Sequence, residues 1–202
     1  MPITKPLVFI SSTAKDLLEY REAAARAAKQ AGFEAEMMED FEAQSLKPPY
    51  QACMDKVREC DVLVVIVAHR YGWVPTDQPG SQAKSITWLE CEEIRGIGKE
   101  LLAFLVEPDH KWPAELKEEY RLIEALHKGQ LTPEVQTEIV RSIKKLAEFK
   151  TWIDSLGFRR TFTDPASLNS DVQAQLTKWL KRHPDFHVAA NSPKHDDPAE
   201  YL

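Results

Sequence analysis

Apolar and polar positions along this chain follow two periods in alternation. Leu7-Val8-Phe9-Ile10 is a continuous apolar run that stops at Ser11-Ser12-Thr13. Behind it Leu17, Tyr20, Ala24, Ala27, Ala28 and Ala31 recur at three-to-four spacing, and Gly32 stands where a helix ends. A strand buried on both faces is therefore expected to feed a one-sided helix through a very short turn. Thr13 and Asp16 have the spacing of a capping box, Asp16 replacing the usual Glu or Gln. The small alanines allow that helix to approach a sheet closely.

The alternation repeats. Phe33 to Met38 reads as a second strand with Glu39-Asp40-Phe41 at its carboxyl end. Pro48 and Pro49 open a second helix, with Tyr50, Cys53, Met54, Val57 and Cys60 as its stripe. Asp61 to Ala68 is apolar on both faces, so a central parallel strand is expected, leaving through His69-Arg70-Tyr71-Gly72-Trp73. After a loop from Val74 to Ser85, Ile86 to Ile97 forms a third helix and Leu101 to Val106 a fourth strand. Two amphipathic segments follow, Ala114 to Lys128 and Pro133 to Leu156. They predict a helical hairpin over 113–157, with Leu146 and Phe149 facing inward. Arg160 to Thr163 reads as a short last strand and Asp171 to Arg182 as a last helix. The order β-α-β-α-β-α-β, then a hairpin, a strand and a helix, is that of an α/β domain over 5–183. A polar, proline-bearing tail occupies 184–202. The first strand should lie beside the third, and the Glu39 to Lys47 loop should overhang the same edge.

Composition narrows the function classes. With 32 acidic against 26 basic residues and a formal net charge of -6, the chain lacks the basic footprint of a direct nucleic-acid binder. No apolar run reaches the roughly 18–20 residues of a membrane span, and Met1 to Pro6 does not read as a signal peptide, so no membrane partner is expected. Cys53, Cys60 and Cys91 are the three cysteines; Cys53 and Cys60 are about two helical turns apart, too far for a disulfide. A sparse, odd set fits a reducing, cytoplasmic setting. The six histidines form no metal-ligand spacing, so no metal is expected.

Candidate chemistry gathers at the strand ends. In an open α/β sheet ligands bind at the carboxyl edge, where Ser11, Ser12 and Thr13 sit ahead of a helix N-terminus able to hold phosphate or ribose. Turn formation and capping explain the same hydroxyls equally well. Arg70 can pair a phosphate bidentately, or bridge to Glu39, Asp40 or Asp16 as a structural tie; Tyr71 has a structural reading foremost. Trp73 and Trp88 can stack on a base, although aromatics flanking a loop are more often core or interface. No G-x-G-x-x-G and no P-loop lysine is present.

These residues resemble a TIR-like domain family of unknown function that often sits at the N-terminus of NACHT and other STAND-type NTPases. The marks are V-F-[IV]-S-S-T-x-x-D-L, matched by Val8 to Leu17, and a central strand ending in R-Y-G, matched by Arg70-Tyr71-Gly72. Ser85, Thr87, Glu90, Gly98 and Leu102-Ala103-Phe104 fit a third mark, and Phe149-Lys150 with Thr161-Phe162 a fourth. The resemblance spans about residues 5 to 182. Cys91 departs from it, standing where an aromatic is common, as does Ile94 at a later small position.

The resemblance implies a TIR-like, flavodoxin-like parallel sheet of about five strands flanked by helices, with the hairpin inserted before the last strand. It also implies an effector or signalling domain of a defence-type protein that self-associates and works with a C-terminal NTPase or sensor module, in cis or in trans. Some TIR domains cleave NAD with one glutamate at the start of this helix. Glu90 is the positional equivalent, and Glu92 is the alternative, because Trp88 precedes it in W-x-x-x-E spacing. A carboxylate beside the ribose stabilises an oxocarbenium-like state. The expected substrate-binding set is Ser11, Ser12, Thr13, Asp16, Phe41, Arg70, Tyr71, Gly72 and Thr87. NAD(P) is then a substrate rather than a permanently bound cofactor. Without the resemblance, Glu90, Glu92 and Glu93 are simply acids favoured in the first turns of a helix. Two other readings stand beside NAD(P) glycohydrolase activity: a non-catalytic homotypic interaction module, and a nucleotide- or nucleoside-binding domain of the deoxyribosyltransferase-like kind.

Overall fold

The computed structural model describes residues 5–37, 49–80, 83–157 and 159–186. Five parallel strands form one sheet: β1 (Leu7–Ser12), β2 (Glu34–Met37), β3 (Val62–Val67), β4 (Glu100–Val106) and β5 (Arg159–Phe162). Their order is β2-β1-β3-β4-β5, every neighbouring pair parallel. This is the flavodoxin-like order, with its switch point between β1 and β3. The register pairs Ser11 with Val65 and Ser12 with Ile66, so the hydroxyl turn leaves the sheet at that switch point.

Alternation along the strands builds a core on each face. Val62, Val64 and Ile66 of β3 join Val8 and Ile10 of β1 under α1 (Ala14–Gln30) and α6 (Pro165–Arg182). The other side of β3, Leu63, Val65 and Val67, joins Phe9 under α3 (Ile86–Gly96) and α5 (Pro133–Ser155). All six residues of β3 are buried, which is why the sequence there is apolar without alternation. Helix α2 (Pro49–Glu59) adds Val57 to the second layer and packs Cys53 and Met54 on Ile86.

Several expectations need correction. Helix α6 begins at Pro165 rather than Asp171, because Asp164 caps it by accepting from Ala166 and Ser167 N–H, each at 2.9 Å, with proline at the first turn. The first arm of the hairpin does not run from Ala114: a 3-10 turn over Ala114–Leu116 precedes a short α4 (Tyr120–His127). Arg121 reaches back to Glu138 at 2.8 Å, so α4 folds along the first turns of α5. Past that point α5 packs on the sheet layer through Leu146, Phe149 and Ile153, with Trp88 stacked on Phe149 at 5.2 Å. The Thr13–Asp16 capping box does not form: Thr13 makes no side-chain cap, and its hydroxyl donates to the Asp16 carboxyl instead. Leu17 has non-helical torsions, φ -125 and ψ 18, which bends the first turn away from capping geometry. Phe41, Glu39, Asp40 and the Glu39 to Lys47 loop lie outside the described residues.

Candidate functional site

The carboxyl edge carries a cleft of about 840 Å³ between the β1 turn, the β3 exit and the hairpin, within the roughly 300–1,000 Å³ of small-molecule sites. Ser12, Thr13, Arg70, Gly72 and Thr87 line it, so five of the sequence-predicted residues meet there. Lys15, Arg21, Trp73 and Ile86 complete the walls nearest them, and Glu118, Arg121 and Glu138 close the hairpin side.

Two buried guanidinium groups stand in its wall, beside the charged groups of Lys15, Arg121, Glu118 and Glu138. Arg21 is 3% exposed and Arg70 8%. Arg21 projects from the buried face of α1 and places Nη1 3.4 Å from the Ser12 carbonyl oxygen. Arg70 donates through Nη2 to the Glu115 carbonyl at 3.0 Å and through Nε to that of Leu116 at 3.3 Å. The carbonyl acceptors of Arg70 are neutral and fix the direction of its guanidinium plane. Asp16 feels the Arg70 charge, yet burial dominates and raises its carboxyl above the ordinary value. Arg21 was not foreseen from the sequence. Its signal was present: it falls on the stripe of Leu17, Ala24 and Ala28, a place for apolar residues.

The β3 exit is pressed against the β1 turn. Gly72 has φ +87, and a Cβ there would lie 2.8 Å from Thr13 Cγ2. Glycine is required both by the torsion and by the space. Tyr71 turns the other way: buried at 2%, its hydroxyl accepts from Ser85 N–H at 3.0 Å and braces the start of α3. It is a scaffold residue, not a cleft residue.

Glu90 lies behind the cleft, on the α3 side of the sheet. The pleat directs Ser11 toward that side, and the Ser11 hydroxyl donates to Glu90 Oε2. Glu90 is 2% exposed. Burial pushes its carboxyl up to about 7, against the opposing pull of the Ser11 hydrogen bond and the Arg21 charge. Thr87, one turn earlier on α3, does reach the cleft wall. Glu92 points elsewhere and holds Lys84 Nζ at 2.6 and 2.8 Å. Ser11, Asp16, Tyr71 and Glu90 thus stand behind the cleft, not in its lining.

A second groove of about 640 Å³ runs between β4, β5 and α6. It holds none of the predicted site residues, and its Arg160 and Asp171 are paired with each other at 3.4 Å. Among the described residues no group of His, Cys, Asp and Glu is placed to hold a metal, and no helix is long and apolar enough to cross a membrane. The three cysteines are buried and unpaired, and burial pushes the thiols of Cys53 and Cys60 up to about 12.

A family model described as "Domain of unknown function (DUF4062)" matches residues 7–177. No curated protein matches the chain. Solved structures similar to it include the flavodoxin-like domain of a Synechococcus sp. protein, at 16% identity and TM-score 0.38, covering 88% of this chain and 99% of that one. A diflavin flavoprotein A3 from Nostoc sp. aligns at 14% identity and TM-score 0.40, over 93% and 100% of the two chains. A flavodoxin from the domain Archaea aligns at 14% identity and TM-score 0.29, over 73% and 99%.

Proposed function

The chain belongs to the DUF4062 family, and on that premise we propose that it is a TIR-like effector or signalling domain whose carboxyl-edge cleft takes the phosphate and ribose of NAD(P). Glu90 is the carboxylate for cleavage of the nicotinamide N-glycosidic bond once the domain assembles with further copies or with an NTPase or sensor module. The observation that carries the reading is the convergence of two buried guanidinium groups, Arg21 and Arg70, on the wall of one cleft, with a buried carboxyl behind the same turn. Buried arginines at a carboxyl edge suit a phosphate, because a desolvated cation gains more from an anion than a solvated one does. Perturbed carboxyl groups beside a cleft are candidates for chemistry.

In the cleavage, the C1′–N bond breaks and nicotinamide leaves with its electron pair. The ribose passes through an oxocarbenium-like state that a carboxylate stabilises, and water adds at C1′ with loss of a proton. Glu90 has to part from Ser11 and ionise before it can serve. That requirement supports a resting form that is switched on by assembly.

The same burial favours a second reading, nucleotide binding without turnover: at 2% exposure, Glu90 offers nothing to a ligand in the cleft. One set of measurements separates the two. Calorimetric titration with ADP-ribose should show binding that Arg70→Gln weakens about tenfold or more. Chromatography of nicotinamide released from NAD by a concentrated sample should show turnover that Glu90→Gln abolishes while ADP-ribose binding persists. Binding without release under every assembled condition selects the second reading. No binding of NAD(P), ADP-ribose or AMP at all sinks both.

A further inference from the structure

The chain has five tryptophans, and four of them are enclosed by other rings. Trp88 and Trp152 pack with Phe149. Trp112 meets Tyr20 and His69, and Trp179 meets Phe33 and His183. Trp73 is different: it has no ring partner among the described residues and is 42% exposed. It lies on the cleft wall beside Ile86.

Its backbone is nonetheless fixed on both sides. The Trp73 carbonyl accepts the Ile86 N–H at 2.9 Å, and Gly72 before it is wedged against Thr13. The backbone therefore places a large, flat, apolar side chain at a set point on a cleft that also presents Arg21, Arg70 and Lys15. The cations recognise charge and leave the rest of a phosphorylated ligand unread. An exposed indole recognises a planar ring by stacking on its face.

Resting on the nucleotide reading of this cleft, we propose that Trp73 is the stacking platform for the ligand's heterocyclic base. The site then selects phosphorylated compounds that carry an aromatic base over sugar phosphates bearing the same charged group. The probes are AMP, ADP-ribose and ribose 5-phosphate, titrated against the full chain and against Trp73→Ala and Trp73→Phe. The wild type should prefer AMP to ribose 5-phosphate by about tenfold or more. Trp73→Ala should erase that preference while keeping ribose 5-phosphate affinity within roughly twofold, and Trp73→Phe should retain most of it. AMP should also quench tryptophan fluorescence in the wild type and not in Trp73→Ala. A Trp73→Ala chain that still prefers AMP, or that loses both ligands equally, overturns the stacking role. A wild type that binds none of the three probes overturns the nucleotide reading itself, and the stacking role falls with it.

Discussion

At the scale of single residues, burial sets what Glu90 can do. Its carboxyl sits at about 7 in the fold against 4.5 ordinarily, chiefly through desolvation. A raised carboxyl pKa means that the folded state holds its proton to higher pH than the unfolded state. The stabilising contribution of the neutral form is therefore intact below about 4.5, is lost as pH rises toward 7, and becomes a constant penalty above. The size of that penalty is roughly 3 kcal/mol. Glu90→Gln should be more stable than the wild type above pH 7, the gap in denaturation midpoint closing toward pH 5; a gap independent of pH would contradict the assignment. Gly72 offers a second residue-scale test. Alanine there meets both a left-handed torsion and Thr13 at 2.8 Å, whereas Gly98, at φ +78, has open space around it. Gly98→Ala should cost about 1–2 kcal/mol of backbone strain, and Gly72→Ala distinctly more, with loss of ligand binding. Equal costs in urea titration would show that the β3 exit yields easily.

At the scale of elements, the hairpin is latched to the R-Y-G turn from both sides. Arg70 holds the Glu115 and Leu116 carbonyls. In return, the Glu118 carboxylate accepts Tyr71 N–H at 3.0 Å and Arg121 Nη1 at 2.6 Å, and the Glu118 N–H donates to the His69 carbonyl at 2.9 Å. Nothing in α4 is fully buried, so this polar latch, rather than apolar burial, positions the short arm. Glu118→Ala leaves a buried N–H unpaired, at a cost of about 1–3 kcal/mol. Hydrogen exchange should quicken over 114–127 while β3 and β4 stay protected. Unchanged exchange there would mean that α5 alone carries the hairpin. The latch was not legible in the sequence, because its partners are backbone groups brought together by the sheet and Glu118 sits in an unremarkable charged run. The start of α6 is legible in Asp164-Pro165, a helix opening, although the apolar stripe begins farther along and points to Asp171.

At the scale of the whole molecule, the sheet order and the edge that carries the cleft follow from features written plainly in the chain. The runs at Leu7 to Ile10 and Val62–Val67 are apolar on both faces because each strand is covered by helices on both sides. The hydroxyl turn therefore had to emerge beside the β3 exit. The depth of Glu90 was not legible. Helical spacing gives a direction around α3, and both the cleft and the buried layer lie in that direction; Thr87 reaches one and Glu90 the other. On the proposed function, that depth governs how the site is switched on. A carboxyl that is 2% exposed and hydrogen-bonded to Ser11 cannot touch a ribose in the resting chain. On the proposed function a rearrangement has to separate the pair, and contacts between copies are its proposed source of energy. Mass action then makes the active form concentration-dependent. Nicotinamide release per chain should rise steeply as a dilute sample is concentrated, and Ser11→Ala, which removes the hydrogen bond that favours the ionised carboxylate, should move the pH dependence of that release to higher pH. Release per chain that is constant from dilute monomer upward would show that the buried pair opens unaided and that assembly plays no part in exposing Glu90.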